Sequence, residues 1–439
     1  MTLADLKAMF VSAGCKRVYA KVLAENDNSK NQVYFGPDFQ ALNLLPNKGI
    51  QPDKRLCTPI FKAPVAFSWM DSNGDPVEAP GAQLILYPQY PEVRFSGFLR
   101  ACAAAPSKLM TTRLAGRILF LGVTADRRII GYAISPDSAT AAEYRASQSG
   151  PQSGVFVELP LPTIPDSQAA RDRLLIELAR IHNLGWINSK QLSENGALEP
   201  CNAQQCGGFT LEAELGIPKN SRAEPDFLGW EIKQHHVPNF DHVESGVITL
   251  MTPEPTGGLY KDQGPEAFVR RFGYPDKKGR PDRLNFGGVH RVGILHPQTK
   301  LTLSLSGFDT STGKITDANG AIALVTAAGD IAAMWHFAGL LIHWTRKHAK
   351  AAYVPSHCRA EPARLYCYGH TVRLALQTDF LLFLKAMAAG NVYYDPGLKL
   401  ENESTSEPQI KRRNQFRILS RNIPSLYGSV EKVDISAHD

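Results

Sequence analysis

The stretch Glu224–Lys233, EPDFLGWEIK, decides the fold expected for the second half of this chain. It holds a Pro-Asp pair, then four residues, then Glu-x-Lys. On a strand, alternate residues face the same side. Glu231 and Lys233 are therefore expected on one side of a strand, with Ile232 directed into the core.

Gly229 would let the chain bend, which would bring the Asp226 carboxylate next to that of Glu231. Two adjacent carboxylates repel each other unless a cation lies between them, and hard oxygen ligands suit Mg²⁺. A neighbouring ammonium, here Lys233, can stabilise a developing negative charge or a metal-bound hydroxide. These residue types together could hydrolyse a phosphodiester, with Asp226 and Glu231 as the Mg²⁺ ligands.

The motif alone does not establish this chemistry. With each residue type near one in twenty and about twenty allowed gaps, such a pattern arises by chance in roughly one in twenty chains of this size. Other Pro-Asp pairs, such as Pro52-Asp53 and Pro281-Asp282, have no Glu-x-Lys close behind them. A turn followed by an ordinary amphipathic strand is the alternative interpretation.

Neighbouring strings extend the pattern. They are Thr210-Leu211-Glu212, Leu215-Gly216-Ile217, Asn220-Ser221, Pro225-Asp226, Gly229–Lys233, Leu250–Gly258 and Phe416-Arg417-Ile418. Together they resemble the MvaI/BcnI restriction endonucleases, relatives of the mismatch-repair nickase MutH, from about Asp166 to the C-terminus. The resemblance implies an α/β nuclease of the PD-(D/E)xK type, with a mixed sheet and flanking helices.

The same resemblance assigns roles to individual residues. It implies that Asp226 and Glu231 bind Mg²⁺, that Lys233 organises the attacking water, and that Glu212 lies beside them on a helix as a fourth catalytic member. Otherwise Glu212 would be a solvated helix-surface residue. His235 and His236, which follow Lys233 closely, are candidates to face DNA, although histidines at a strand end are commonly surface residues.

The basic run Lys411–Arg417, KRRNQFR, is the candidate for reading the target sequence. Arg pairs with guanine O6 and N7 in the major groove, and a carboxylate can accept a hydrogen bond from cytosine N4. Arg412, Arg413 and Arg417 are therefore candidate DNA contacts, as is Asp395 on a probable loop. A solvated charge run is the alternative, and the sequence does not separate base contacts from phosphate contacts.

The first 130 or so residues hold short β-branched or alternating runs separated by turn signals, which predicts a β-barrel or sandwich. The string Lys21–Ser29, KVLAENDNS, resembles the effector domain of the restriction enzyme EcoRII, an all-β pseudo-barrel that binds DNA. That resemblance makes Lys30, Asn31, Glu92 and Arg94 candidate DNA contacts. A β-barrel without a ligand is the alternative.

A polar stretch at Gln148–Gly154, QSGPQSG, marks a change in composition. It predicts an effector DNA-binding domain over 1–150, a linker over 151–165 and a nuclease domain over 166–439. Long helices are expected over 330–350 and 371–389.

The composition is ordinary for a globular protein, with 43% hydrophobic and 21% charged residues. The net charge of +6 permits a polyanionic partner without requiring one. No export signal or membrane span is evident. Seven scattered cysteines predict neither a zinc site nor a disulfide framework and suit the reducing cytoplasm.

The function expected is a type II restriction endonuclease that cleaves both strands of double-stranded DNA with Mg²⁺. The resemblance implies a target of the CCNGG kind, with CCWGG expected, and a monomer with one active site. The N-terminal domain would bind a second DNA copy, and a cognate DNA methyltransferase would be functionally linked. A MutH-like nicking enzyme and a DNA-binding regulator without catalysis are the two alternatives.

Overall fold

The chain folds as two compact units, Met1–Leu175 and Ile176–Asp439. The structure is a computed structural model, and it describes residues 1–25, 31–53, 60–71, 73–147, 150–161, 167–203, 205–219 and 225–437.

Strands dominate the first unit. In chain order they are β1 Cys15–Leu23, β2 Val33–Tyr34, β3 Gln51–Pro52, β4 Phe61–Pro64, β5 Phe67–Met70, β6 Pro76–Glu78, β7 Gln83–Tyr87, β8 Glu92–Ser96, β9 Arg117–Thr124, β10 Ile129–Ile134, β11 Gln152–Ser153 and β12 Phe156–Glu158. The helices are α1 Leu3–Ser12, α2 Ala41–Leu44, α3 Ser107–Thr111 and α4 Ala139–Ala146.

These strands form two sheets. One has the order β11-β12-β1-β9-β10-β5-β6 and the other β2-β8-β7-β4-β3. Neither sheet closes on itself among the described strands, so the pseudo-barrel predicted from the sequence is not confirmed.

The first unit is also not all-β. Leu6 and Phe10 of α1 and Tyr144 of α4 are buried in one core with Phe120 of β9. The rings of Phe120 and Tyr144 meet edge to face at 5.7 Å. Short helices such as these give no clear sequence pattern, because their apolar residues are few and their stability comes from packing on a sheet.

Part of the predicted linker is structured. Strands β11 and β12, which span 152–158, belong to the seven-stranded sheet. Residues 162–166 lie outside the described part of the chain, and helix α5 follows at Ser167–Asn183. The boundary between the compact units falls within α5. The assignment of functional domains to 1–150, 151–165 and 166–439 stays a prediction.

The second unit combines helices with several sheets. Its helices are α6 Cys206–Glu214, α7 Leu259–Asp262, α8 Gly264–Phe272, α9 Phe337–Lys347 and α10 Phe380–Ala388, with 3₁₀ turns at Phe240–His242, Ser420–Leu426 and Ile435–Ala437. Its strands are β13 Ile187–Asn188, β14 Lys190–Leu192, β15 Leu198–Pro200, β16 Glu231–His236, β17 Val247–Met251, β18 Tyr274–Pro275, β19 Arg283–Gly287, β20 Thr302–Ser306, β21 Phe308–Asp309, β22 Lys314–Ile315, β23 Ala321–Val325, β24 Ile331–His336, β25 Lys350–Arg359, β26 Leu365–Tyr368, β27 Thr371–Thr378, β28 Val392–Tyr394, β29 Gly397–Glu401, β30 Gln409–Lys411, β31 Phe416–Leu419 and β32 Tyr427–Asp434.

The largest sheet of this unit has the order β13-β26-β25-β27-β32, and β16 joins it beside β25. The pairing of β16 with β25 is parallel, whereas β25 runs antiparallel to β26 and β27. This mixed sheet with helices agrees with the predicted α/β class. A smaller sheet, β17-β31-β28, carries part of the basic run.

Two predicted helices begin later than expected. Residues Ile331–His336 form strand β24, paired with β23, and α9 begins only at Phe337. Residues Thr371–Thr378 form β27, and α10 begins after Asp379, whose carboxylate caps the helix by accepting from Leu381 N at 2.7 Å. A short apolar run is compatible with either a helix or a strand, and here both segments are strands because they pair with distant strands.

The cysteine prediction was wrong at one pair. Cys201 and Cys206 form a disulfide that closes on the first residue of α6. Among the described residues, no helix is both long enough and apolar enough to cross a membrane.

Candidate active site

Strand β16 holds Glu231 and Lys233 on one side, as the alternation predicted. Lys233 Nζ lies 2.5 Å from Glu231 Oε1. Glu231 is 1% exposed, and β16 pairs with β25 along its length. The strand therefore fixes a buried carboxylate and its ammonium partner as one rigid pair.

A two-residue turn returns the chain to this pair. Phe227 and Trp230 exchange backbone hydrogen bonds of 2.9 and 2.8 Å across it. Leu228 and Gly229 both have positive φ, +47° and +85°, as tight hairpin turns of the primed type require. The turn places Asp226 next to β16, where its Oδ2 accepts a hydrogen bond from Ile232 N at 2.9 Å.

Helix α6 brings Glu212 to the same place. Gly207 allows α6 to lie close to β16, because a Cβ there would come within 2.9 Å of the Gln234 amide oxygen and 3.0 Å of the Tyr366 ring. The helix is thereby held with Glu212 near the other carboxylates. The structure thus brings together all four residues that the sequence singled out as catalytic.

The three carboxylates are electrostatically crowded. Burial, and then the charge of Glu231, raise the pKa of Asp226 to about 6. Burial, and then the charge of Asp226, raise the pKa of Glu212 to about 7. For Lys233, burial lowers the pKa, but the charge and hydrogen bond of Glu231 outweigh it and the net direction is upward. Such a cluster gains stability from a bound cation.

Lys347 is a member of the site that sequence reasoning missed. It lies in the last turn of α9, with Nζ 3.7 Å from Glu231 Oε1. The parallel pairing of β16 with β25, the strand after α9, brings it there. No spacing in the sequence signals this contact, since Lys347 is far from the motif along the chain.

The residues present fit a divalent cation. Glu231 Oε2 is buried without a hydrogen-bond partner in the described part of the chain, while Oε1 receives both ammonium groups. No cluster of three or more His, Cys, Asp or Glu side chains suited to a metal ion occurs among the described residues. Mg²⁺ commonly binds through one or two carboxylates plus water and substrate phosphates. The carboxylates of Asp226 and Glu231 fit that requirement.

Comparison with known families decides the assignment. The family model "MvaI/BcnI restriction endonuclease family" matches residues 175–427, more than half of the chain. The chain belongs to the MvaI/BcnI restriction endonuclease family. The matched range contains Glu212, Asp226, Glu231, Lys233 and Lys347, so the cluster lies in the nuclease region that defines this family.

Solved structures of the restriction endonuclease MvaI are also similar to this chain. The complex of MvaI with its cognate DNA substrate has 17% identity and a TM-score of 0.44, and covers 60% of this chain and 97% of that one. MvaI in the absence of DNA has 15% identity and a TM-score of 0.33, with the same coverages. No curated protein matches the chain.

The candidate DNA contacts in the basic run also lie within the MvaI/BcnI match. Arg417 Nη1 is 2.5 Å from Asp395 Oδ2, so these two predicted contacts form one ion pair. The guanidinium of Arg413 lies against Gly397, where a Cβ would approach Nη2 to 2.5 Å. Arg412 is instead nearest to Glu254, at 3.7 Å.

The two histidines after Lys233 differ. His236 is exposed, and its ring lies 6.1 Å from that of His357. His235 is 3% exposed and its Nε2 hydrogen-bonds to the Val243 carbonyl at 2.9 Å. Burial, the largest effect, lowers the pKa of His235 to about 4. His235 is therefore a core residue in this structure and presents no surface to DNA, contrary to the expectation from sequence.

The N-terminal candidates lie outside the family match. Glu92 and Arg94 neighbour each other on β8, with Arg94 Nε 2.9 Å from Glu92 Oε1. Arg94 also lines a cleft with Lys21 and Tyr34. Asn31 has a left-handed backbone with φ +48°. Lys30 lies outside the described residues.

Proposed function

We propose that this protein is a type II restriction endonuclease that hydrolyses both strands of DNA with Mg²⁺. The observation that carries the proposal is the unpartnered buried oxygen Glu231 Oε2, next to Asp226 and beside the Lys233 ammonium. Burying a carboxylate oxygen without a partner is costly, which is why such oxygens mark cation sites.

Asp226 and Glu231 would hold the cation. Bound there, Mg²⁺ would supply Lewis-acid polarisation of the scissile phosphodiester and would lower the pKa of the attacking water. The Lys233 ammonium, which is paired with Glu231, would orient the water and stabilise developing negative charge. Glu212 adds a further oxygen at the edge of this cluster.

The proposed target is a CCNGG-type site, CCWGG in particular. Arg413 and Arg417 are proposed to read guanine, and Asp395 cytosine, because these side chains match the hydrogen-bonding edges of a G·C pair. The Asp395–Arg417 ion pair supports this proposal, because it holds the carboxylate and the guanidinium next to each other. Arg412 and His236 are proposed as further DNA contacts.

The N-terminal unit is proposed to be an EcoRII-like effector domain that binds a second DNA copy. Arg94, Glu92, Asn31 and Lys30 are the proposed contacts. The nuclease is proposed to act as a monomer with one active site that cuts the strands in turn. A host carrying such an enzyme must protect its own sites, so a cognate DNA methyltransferase is the proposed functional partner.

Incubation of a supercoiled plasmid containing one CCWGG site, with and without Mg²⁺, tests this function. Linear product with ends inside CCWGG, formed only with Mg²⁺, is expected. Nicked product alone would favour a MutH-like enzyme, and no product would favour a DNA-binding regulator. Ends spread over unrelated sequences would contradict the proposed site.

A further inference from the structure

One carboxylate oxygen of the active site receives two ammonium groups. Glu231 Oε1 lies 2.5 Å from Lys233 Nζ and 3.7 Å from Lys347 Nζ. The Lys347 side chain is 23% exposed, so it is partly withdrawn from water and fixed at the end of α9. Burial and the neighbouring carboxylates raise the pKa of Asp226 and of Glu212, and the Lys347 charge partly offsets that rise, so it acts on all three carboxylates.

The charges of this cluster nearly balance without any ion. With all three carboxylates ionised, they face two ammonium groups, which leaves one negative charge uncompensated. A bound divalent cation would turn this into one excess positive charge, and an entering phosphodiester would neutralise it. Without Lys347, the cation alone would complete the balance.

We propose that Lys347 makes cation binding at Asp226 and Glu231 depend on DNA. This inference rests on the proposed function and deepens it. The Lys347 ammonium repels a divalent cation at the DNA-free site, and the phosphodiester offsets that repulsion when DNA is bound. Lys347 is thus a positioning residue that couples the two ligands, in the sense that each raises the affinity of the other.

Lys190 provides a matched control for this proposal. Its Nζ lies 2.6 Å from Oε1 of Glu214, which lies on α6 as Glu212 does, and the Lys190 side chain is 27% exposed. It is therefore another partly buried lysine paired with a carboxylate. No effect of its charge on Asp226 or Glu212 is evident among the influences that shift their pKa values. Loss of this ion pair should leave cation binding unchanged.

The test is calorimetric titration of the full chain with Ca²⁺, with and without a duplex containing CCAGG that stays intact during the measurement. Without DNA, Lys347→Met should bind Ca²⁺ about three- to tenfold more tightly than wild type, the size expected for removing a nearby like charge under solvent and salt screening. DNA should tighten Ca²⁺ binding in wild type, and by a correspondingly smaller factor in Lys347→Met.

Two further variants fix the interpretation. Lys347→Arg keeps the charge and should match wild type, whereas Lys190→Met should bind Ca²⁺ as wild type does. Unchanged or weaker DNA-free binding by Lys347→Met would overturn the inference while leaving the proposed nuclease in place. Unchanged Ca²⁺ binding by Asp226→Asn would instead overturn the metal site, and the proposed function with it.

Discussion

Among single residues, local spacing predicted how Asp226, Glu231 and Lys233 come together, but it did not predict the contact of Lys347 or the burial of His235. Glu231 and Lys233 share one face of β16, and a turn at Gly229 returns Asp226, because both features depend on near neighbours. Lys347 reaches Glu231 only through the packing of α9, which no local pattern encodes. The expectation for His235 failed because alternation gives the face of a strand but not whether that face is covered.

The Asp395–Arg417 pair yields a prediction about readout. Arg417→Ala should reduce discrimination between CCWGG and single-base variants by about 1–3 kcal/mol if Arg417 pairs with guanine. Competition binding on cognate and altered duplexes measures it. A phosphate contact would instead weaken all duplexes alike and flatten the salt dependence. Equal losses on every duplex for both Arg417→Ala and Arg413→Ala would remove these residues from base recognition.

At the level of secondary structure, the sequence predicted the strand of the catalytic motif more accurately than the residues at which the helices begin. Strand β16 matched its predicted alternation, with Glu231 and Lys233 on one side. The beginnings of α9 and α10 did not, because β24 and β27 are strands only by virtue of pairing with β23, β25 and β32. Hydrogen bonds to distant segments cannot be read from a short apolar run.

Two adjacent glycines of α6 give a paired prediction. At Gly208 a Cβ would meet nothing nearer than Glu212 Oε1 at 4.0 Å, so Gly208→Ala should stabilise the protein by up to about 1 kcal/mol through helix propensity. At Gly207 a Cβ would press on the buried Tyr366 ring and on Gln234, whose amide is hydrogen-bonded to Ser356. Gly207→Ala should destabilise by about 1–3 kcal/mol and slow cleavage by displacing Glu212. Urea unfolding and cleavage assays compare the two, and equal effects would contradict this packing.

The buried His290 predicts a loss of stability in acid. Its ring stacks on His296 at 4.2 Å and its Nε2 hydrogen-bonds to Thr299 Oγ1 at 2.9 Å. Burial, and then the charge of His296, lower the pKa of His290 to about 3. Below the unfolded pKa of about 6.5 the unfolded chain therefore takes up a proton that the folded chain refuses, so this stability is lost as pH falls.

The matching variant is His290→Gln. The free energy of unfolding of wild type should fall between pH 6 and pH 4 more steeply than that of the variant, by up to about 1.4 kcal/mol per pH unit. Urea titrations at each pH measure the two slopes. Parallel slopes would mean that His290 is protonated in the folded protein.

At the scale of the whole molecule, the sequence predicted a β-rich first part and an α/β nuclease second part. Helices α1 and α4 were missed because each contributes only a few residues to a core built on strands. The fold of the first unit does not specify what the unit does. An experiment on the complete chain tests its function.

Two linked DNA-binding modules raise the effective concentration of the second site. The full chain should therefore cut a plasmid with two CCWGG sites faster than a plasmid with one, and an added cognate duplex should change the one-site rate. Arg94→Ala should remove this response without changing the one-site rate measured alone. Equal rates on both plasmids, and no effect of the added duplex, would contradict a second DNA site in the first unit.

We propose that the cluster around Glu231 performs the chemistry rather than binding DNA. The test is to measure cleavage and DNA binding side by side for Lys233→Ala, with Lys190→Met as the control. Because Lys233 acts on the transition state, cleavage should fall by at least about a hundredfold while the Kd for cognate DNA changes less than about threefold. Cleavage within about tenfold of wild type, or a loss of binding as large as the loss of cleavage, would contradict the claim.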